Sequence, residues 1–406
     1  MREVRPGWAL SKVGDLFDMQ LGKMLSKEAA AGPSQRAYLT NKNVQWNRLD
    51  FDELNYMSFS SSDREKFRLD RGDLLVTEGG EVGRTAVWGE EREECYFQKS
   101  LHRLRPKGRV DPRYMLHYMQ YAARWKLFVD AVAQTSIAHL PQDKFAEHLV
   151  AHPVDLGEQR RIVEVIDAVS EQERAIEAAI AKLRSVRQGA QLAFMERIAD
   201  GSVKVGWAPV RDVGAVRMGK QLSPDSRAAG QQHPYLRVAN VLAGRIDYSD
   251  VNTMGFTDGE RDLYQLAPGD ILLNEGQSLE LVGRSAIYRE VAGQFCFQNT
   301  LVRFRSGDRV IPEYAQLVFE YWLQVGVFAG IAKKTTSIAH LGGERFAALN
   351  FPLVSLGEQQ RFVASLSVCD GGIRGEASEL TKLRNLKKGL VDDLLFDGLV
   401  DRRPAV

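Results

Sequence analysis

Taken in steps of four and three from Ile162 to Phe194, the chain places apolar residues at Ile162, Ile166, Val169, Ile176, Ile180, Leu183, Ala190 and Phe194, with Glu173 and Arg187 as the polar exceptions. That spacing keeps one stripe of a helix apolar and predicts a long helix with a heptad seam rather than a strand. The pattern returns at Phe362, Leu366, Cys369, Ile373, Leu380, Leu383, Leu390 and Leu394, with Glu376 and Lys387 polar. A basic residue thus occupies one seam position in both copies, Arg187 and Lys387. Ser355-Leu356-Gly357-Glu358 fits a capping box, and Asp155-Leu156-Gly157-Glu158 is its acidic version. Gly201 and Gly398 stand where C-terminal caps belong. Gly371-Gly372 lies inside the second helix, costs roughly 1 kcal/mol per glycine against alanine, and predicts a kink or local break.

A helix of about 40 residues is roughly 60 Å long and cannot be covered along its whole length by one domain of this size. Its seam needs a partner. The simplest is the other copy's helix, packed antiparallel about a pseudo-twofold axis, with two globular domains at opposite ends of a rod. The alternative folds each helix onto its own domain.

Ahead of each helix the pattern is different. Gly72-Asp73-Leu74-Leu75-Val76 and Pro268-Gly269-Asp270-Ile271-Leu272-Leu273 read as turn-then-strand. Helical stretches follow at 112–130 and 312–332, so each of these regions is α+β.

The whole chain is duplicated. Gly22-Lys23 recurs as Gly219-Lys220, Gly83-Arg84 as Gly283-Arg284, and Phe97-Gln98 as Phe297-Gln298. Thr135 to Leu140 is repeated letter for letter at Thr336 to Leu341, and Leu156-Gly157-Glu158-Gln159 returns as Leu356-Gly357-Glu358-Gln359. Between these anchors the copies diverge, as Tyr38 to Val44 against Tyr235 to Val241 illustrates. The period, close to 200 residues, is far longer than that of solenoid repeats.

Composition narrows the picture. Of 406 residues, 44% are hydrophobic and 26% charged, which is ordinary for a globular protein. Lys plus Arg is 54 and Asp plus Glu is 53, a net charge of +1, which excludes a uniformly basic coat but not a local basic patch. No apolar run is long enough to span a membrane, and the start of the chain lacks a secretory signal. Three scattered cysteines, Cys95, Cys296 and Cys369, build neither a disulfide framework nor a zinc cage, so a cytoplasmic location with reduced thiols is expected.

Catalytic patterns are missing. There is no phosphate-binding loop, no dinucleotide fingerprint, no adenine-methylating Asn-Pro-Pro-aromatic tetrad, and no carboxylate cluster suited to metal-dependent phosphodiester cleavage. His148 and His152 have zinc-helix spacing without the glutamate, and read as imidazoles at the end of a helix or strand. His139 and His340, in the duplicated hexapeptide, have no repeated nucleophile or carboxylate beside them in sequence. That hexapeptide is either a turn whose hydroxyls cap backbone groups or a phosphate contact.

Two similar but diverged heads on a spacer suit two short targets at a fixed separation, which is what DNA half-sites offer. Lys, Arg and small polar residues would contact phosphates; Arg, Asn and Gln would contact base edges. The candidates in the first head are Lys23, Asn41, Lys42, Arg84, Gln98, Lys99 and Arg103. In the second they are Lys220, Arg237, Asn240, Arg284, Gln298, Asn299, Lys333 and Lys334. For any one of them a solvated surface charge is the alternative.

The layout resembles the specificity subunit of type I restriction-modification enzymes. The resemblance rests on Leu156-Gly157-Glu158-Gln159-Arg160-Arg161-Ile162 and Leu356-Gly357-Glu358-Gln359-Gln360-Arg361-Phe362, each opening a long helix, on the two Gly-Asp turns, and on the duplication. It implies an α+β chain in which two globular α/β target recognition domains are joined by two long antiparallel coiled-coil helices in a pseudo-twofold internal duplication. The expected division is 1–152 and 204–352 for the recognition domains, and 153–203 and 353–406 for the helical regions. It further implies a non-catalytic subunit that binds double-stranded DNA at a bipartite target. Two methyltransferase subunits and, through them, endonuclease subunits would dock on it. S-adenosylmethionine, ATP and magnesium would belong to those partners, none to this chain. The rival from another class is a protein-interaction scaffold with two binding heads.

Overall fold

The computed structural model describes residues 3–89, 91–128, 133–134, 138–223, 231–334, 338–396 and 399–400. The chain divides into two compact units, Met1–Glu177 with Ser378–Val406, and Ala178–Ala377. Each unit holds one head together with a segment of both long helices.

In the first unit a four-stranded antiparallel sheet runs in the order Phe17–Leu21, Leu101–Pro106, Leu74–Thr77, Thr85–Val87. Leu104 is the register pin, opposite Met19 on one side and Leu74 on the other. A three-stranded mixed sheet places Gln35–Leu39 between Tyr96–Phe97, parallel, and Asn55–Ser58, antiparallel. The second unit repeats both sheets: Gly214–Met218, Leu301–Ser306, Ile271–Asn274, Ser285–Ile287, and then Asn252–Phe256, Gln231–Leu236, Cys296–Phe297.

Local chemistry explains these elements. Leu74–Thr77 and Ile271–Asn274 are buried at every position, so each strand is sandwiched on both faces. The turn before each needs a left-handed residue, and Gly72 (φ 87°) and Gly269 (φ 94°) supply it. The aspartate that follows is buried and works as a bidentate acceptor: Asp73 receives Arg105 Nε and Nη2 at 2.9 and 2.7 Å, and Asp270 receives Arg305 at 2.6 and 2.7 Å. Helix Pro112–Arg124 starts on proline, with Asp111 accepting from the Arg113 amide at 2.9 Å. Its counterpart stops at Gln324, Gly326 turns left-handed, and a short helix Val327–Ile331 follows, so the continuous 312–332 helix expected from sequence is two.

The long helices are Leu156–Ala199, 44 residues, and Leu356–Phe396, 41 residues. In the first unit they run antiparallel: Glu173 accepts from Lys387 and Glu177 from Arg384, at 2.6 and 2.5 Å. In the second unit Arg187 meets Asp370, and Phe194 stacks on Phe362 with ring centroids 3.8 Å apart, again antiparallel. The alternative of each helix folding onto its own head is therefore not adopted. The first head's core takes Ile162, Val163 and Ile166 from one helix and Val391 and Leu395 from the other. The second head's core takes Phe362 and Leu366 together with Phe194, Met195 and Ile198. The polar seam residues Glu173 and Lys387 pair with each other, which offsets part of the cost of placing charge in the seam. At the end of the first helix the seam slips by one residue. Ala190 is exposed and Gln191 is buried, its amide donating to the Leu317 carbonyl at 2.8 Å.

Two expectations need correction. Gly371-Gly372 does not break the second helix, which is continuous from Leu356 to Phe396. A Cβ on Gly372 would lie 3.2 Å from Leu183 Cδ1, so the small residue lets Leu183 pack close, and that contact offsets the poor helix propensity. At the helix start Ser355 accepts from the Glu358 amide at 3.3 Å, but the Glu358 carboxylate pairs with Arg361 instead of reaching back to close a capping box. Asp155 caps as expected, accepting from Gly157 and Glu158, and Gly201 is left-handed. Gly398 lies outside the described residues. No helix among the described residues is long and apolar enough to cross a membrane.

Candidate nucleic-acid interface

In the first head, hydrogen bonds draw four separate loops together. The Asn41 amide donates to Ser100 Oγ (3.1 Å), the Glu78 amide to the Ser100 carbonyl (3.0 Å), and the Leu140 amide to the Glu78 carbonyl (2.8 Å). The second head repeats the knot: Val238 N–H to Thr300 Oγ1 (3.1 Å), Glu275 to Thr300 (2.9 Å), and Leu341 to Glu275 (2.8 Å). Most candidates stand on these loops, although they were scattered along the sequence. The scaffold is backbone closed by one hydroxyl in each head, Ser100 or Thr300, and the side chains carried on it differ: Asn41 and Lys42 in one, Val238 and Ala239 in the other.

Not every candidate faces outward. Lys23 Nζ donates to Asp63 Oδ2 (2.6 Å) and the Ser58 carbonyl (2.7 Å) and lies 5.0 Å over the Phe59 ring. Lys220 does the same with Glu260 (2.6 Å), Gly255 (2.8 Å) and Phe256 (4.9 Å). The glycine before each lysine is dictated by contact, since a Cβ on Gly22 or Gly219 would lie 2.3 or 2.2 Å from the carbonyl oxygen of Gln98 or Gln298. The Gly-Lys pairs are thus internal ties. Burial pushes the Asp63 pKa up, but the hydrogen bond from Lys23 and those around Ser60 outweigh it, and the net shift is downward.

Arg103 and Arg303 are 5% exposed. Their guanidinium groups donate to backbone carbonyls, Lys66 and Arg68 in one head, Leu263 and Gln265 in the other, over the rings of Phe97 and Phe297. Arg103 therefore fastens the helix Ser61–Phe67 to the sheet. Asn240 is buried and holds a turn, accepting from the Arg237 amide and donating to the Asp247 and Asp250 carbonyls. Its counterpart is Asn43, not Asn41. Arg237 pairs with Asp250 at 2.6 Å. Gln98 and Gln298 are half-buried, their Oε1 atoms accepting from Ser100 and Thr300.

Lys42, Lys99, Lys333 and Lys334 are exposed, and Asn41, Arg84, Arg284 and Asn299 are partly so. Lys333 and Lys334 lie on an edge strand paired with Ala339–His340, which pairs in turn with Gly276–Gln277. The two heads differ at one arginine. Arg84 donates to the Asn41 carbonyl (2.7 Å) and pairs with Glu81 (3.1 Å), which also accepts from the Trp46 indole (2.7 Å). In the second head Leu281 and Ala243 occupy the places of Glu81 and Trp46.

The histidines resolve into local roles. His340 Nδ1 is 3.0 Å from Glu275, so the fold supplies a carboxylate that the sequence did not show beside it. The residues 135–137, 336 and 337 of the hexapeptide lie outside the described residues. His148 meets Tyr118 Oη (3.0 Å), and His152 meets Ser11 Oγ (3.0 Å) and the Pro153 carbonyl (2.9 Å), so the two do not share a ligand. Among the described residues no group of three or more His, Cys, Asp or Glu could hold a metal ion. Burial pushes the Cys95 thiol up to about 11 and the Cys296 thiol up to about 12, so neither is a ready nucleophile.

One buried structural tie per copy was not singled out from the sequence. Gln159 and Gln359, in the helix-opening motif, are fully buried. Gln159 accepts from the Asp111 amide (2.7 Å) and donates to the Arg109 and Pro153 carbonyls (3.2 and 2.7 Å). Gln359 accepts from Ile311 and donates to Arg309 and Val354, all at 2.9 Å. A glutamine conserved in place between the two copies was the available signal.

Comparison with known proteins fits this geometry. A family model described as type I restriction modification DNA specificity domain matches residues 6–183 and 204–385. The chain is 22% identical over 335 residues to the type I restriction enzyme EcoKI specificity subunit of Escherichia coli strain K12, covering 77% of this chain and 71% of that protein. It shares its fold with the S subunit of the type I restriction-modification system from M. genitalium, with TM-score 0.57 and 13% identity over 99% and 98% of the two chains. A chain from a study of complex assembly and conformational transition of the type I R-M system gives TM-score 0.64 and 15% identity over 97% and 99%.

Proposed function

The chain belongs to the type I restriction-modification DNA specificity family, and from that membership we propose that each head reads one half of a bipartite DNA target through its own knot of loops. The observation that carries this reading is the pairing of one backbone scaffold with two unlike sets of side chains. Ser100 and Thr300 tie equivalent loops, while Asn41 and Lys42 face Val238 and Ala239 across the duplication. Two targets of different sequence need this combination.

We assign phosphate contact to Lys42 and Lys99 in the first head and to Lys333 and Lys334 in the second, where exposed ammonium groups border the knots. Asn41 and Asn299 carry amides suited to base edges. Lys23, Lys220, Arg103 and Asn240 act beneath them by holding the loops in place. We take residues 1–152 and 204–352 as the reading domains and 153–203 and 353–406 as the helical regions that link them. Two methyltransferase subunits would dock on the helices, and equivalent exposed apolar residues support a repeated contact: Val186 is 51% exposed and Leu386 64%. S-adenosylmethionine, ATP and magnesium would be held by the methyltransferase and endonuclease partners.

The test is base-resolution methylation mapping of DNA from cells carrying this chain and its methyltransferase. An interrupted, asymmetric motif is expected, and exchanging residues 8–152 for another head should change one half alone. Methylation without sequence preference, or a change in both halves, contradicts the reading.

A further inference from the structure

A cleft of about 890 Å³ opens in the second unit between helix Pro312–Gln324, the turn at Gly244 and the two long helices. Five arginines line it: Arg184, Arg187, Arg284, Arg289 and Arg374. Three carboxylates face them, Glu313, Glu320 and Asp370. All three are already matched, since Glu320 and Asp370 hold Arg187 at 3.1 and 2.6 Å, and Glu313 holds Arg289 at 3.4 Å. That leaves Arg184, Arg284 and Arg374 without an ion pair among the described residues, and five cations against three anions give the lining a net charge of +2.

The first head shows how such an arginine is satisfied when no ligand is needed. There Glu81 neutralises Arg84 and Trp46 bonds to the same carboxylate. In the second head the backbone of the turn is the same, with Arg284 N–H donating to the Leu281 carbonyl as Arg84 N–H does to Glu81. Leu281 removes the carboxylate and Ala243 removes the indole, and Ala243 lines the opened cleft. A partly desolvated guanidinium without a counter-charge is costly unless an anion completes it.

We propose that this cleft binds a phosphate group, with Arg284 as its central donor and Arg184 and Arg374 as flanking charges. Gln316 and Ser285 also line it, and Gln316 Nε2 donates to Ser285 Oγ at 3.1 Å, which fixes a neutral polar wall beside the arginine. The phosphate is either a small free anion or one phosphodiester of a nucleic-acid backbone. The site does not depend on how the loops read sequence.

The experiment titrates the full-length chain with inorganic phosphate by calorimetry, and with a short duplex at several salt concentrations. Arg284→Gln should weaken phosphate binding at least tenfold. Leu281→Glu, which restores the first head's carboxylate and leaves Arg284 in place, should weaken it as much, whereas Leu281→Gln should not. Leu281 is 38% exposed, so these substitutions fall on an accessible turn. If Leu281→Glu also lowers the salt slope of duplex binding by about one, the phosphate belongs to a nucleic-acid backbone; if the slope holds while phosphate binding falls, the ligand is a small anion. Absence of phosphate binding to the native chain, or retention of it in both Arg284→Gln and Leu281→Glu, overturns the proposal. Loss of sequence preference in methylation mapping, with the phosphate pattern intact, would sink the reading of the heads and leave this site standing.

Discussion

The Gln359 side chain accepts the Ile311 amide at 2.9 Å from within the first turn of its long helix. The same amide group donates to carbonyls on either side, Arg309 and Val354, so one buried side chain fastens helix, strand end and loop. Replacing Gln359 by Leu strands one donor and two acceptors in the interior. The expected loss is about 3 kcal/mol, since each unmade buried hydrogen bond costs about 1–3 kcal/mol. Urea denaturation of the Gln359→Leu chain measures it, and an unchanged midpoint would show that the latch contributes nothing.

Lys23 and Asp63 form a half-buried pair that ties the end of one strand to the cap of helix Ser61–Phe67. Lys23→Met leaves the carboxylate without its counter-charge and should cost about 2 kcal/mol. Adding Asp63→Asn should recover part of the loss, because the stranded charge is then gone. Thermal unfolding of the single and double variants tests this, and a double variant no more stable than the single one contradicts it.

Acid should weaken the fold in two stages. Burial lowers the pKa of His102, His152 and His233 below the usual 6.5, so each is neutral in the fold while the unfolded chain takes up protons. The stability they contribute is full above about pH 6.5 and is lost as pH falls through their depressed values. Glu260, held low first by the Lys220 hydrogen bond, and Asp63, where burial is outweighed only by the Lys23 and Ser60 hydrogen bonds acting together, add a second loss as pH falls below about 4. A thermal midpoint that stays flat from pH 7 to pH 5, ~6.5 being the ordinary histidine value, would refute the first stage.

Adjacent glycines of the second helix should respond unequally. A Cβ on Gly371 meets nothing within 4 Å, so Gly371→Ala gains helix propensity and should stabilise by about 0.5–1 kcal/mol. A Cβ on Gly372 crowds Leu183 at 3.2 Å, and Gly372→Ala should gain less or destabilise. Equal shifts in the two variants would mean that close packing on Leu183 is not what keeps a glycine at 372.

Removing an exposed lysine beside a reading knot should flatten the salt dependence of duplex binding. Lys99→Ala and Lys334→Ala should each lower the slope by about one, with little change in which sequence is preferred. A changed preference with an unchanged slope would move these residues from phosphate to base contact.

Periodicity alone fixed the two long helices, and duplication alone fixed that there are two heads. Both signals are carried by local spacing and letter identity, which require no knowledge of what lies across the core. The caps at Asp155 and Gly201 were legible for the same reason, and so were the turns at Gly72 and Gly269, where only a residue without Cβ takes the left-handed conformation easily. The side chains with the strongest charges were misjudged where tertiary structure buried them. Arg103 looks like a surface cation in sequence, yet backbone carbonyls from residues 66 and 68 meet it in the interior. Lys23 acquires Asp63 from 40 positions away, and Gln159 acquires a role through groups 50 positions away. Whether a charge is a reader or a tie depends on partners brought near by folding, and sequence spacing does not record them. The open cleft at Arg284 follows the same rule, because the loss of Glu81 and Trp46 in the second copy has meaning only once both are seen to converge on one arginine.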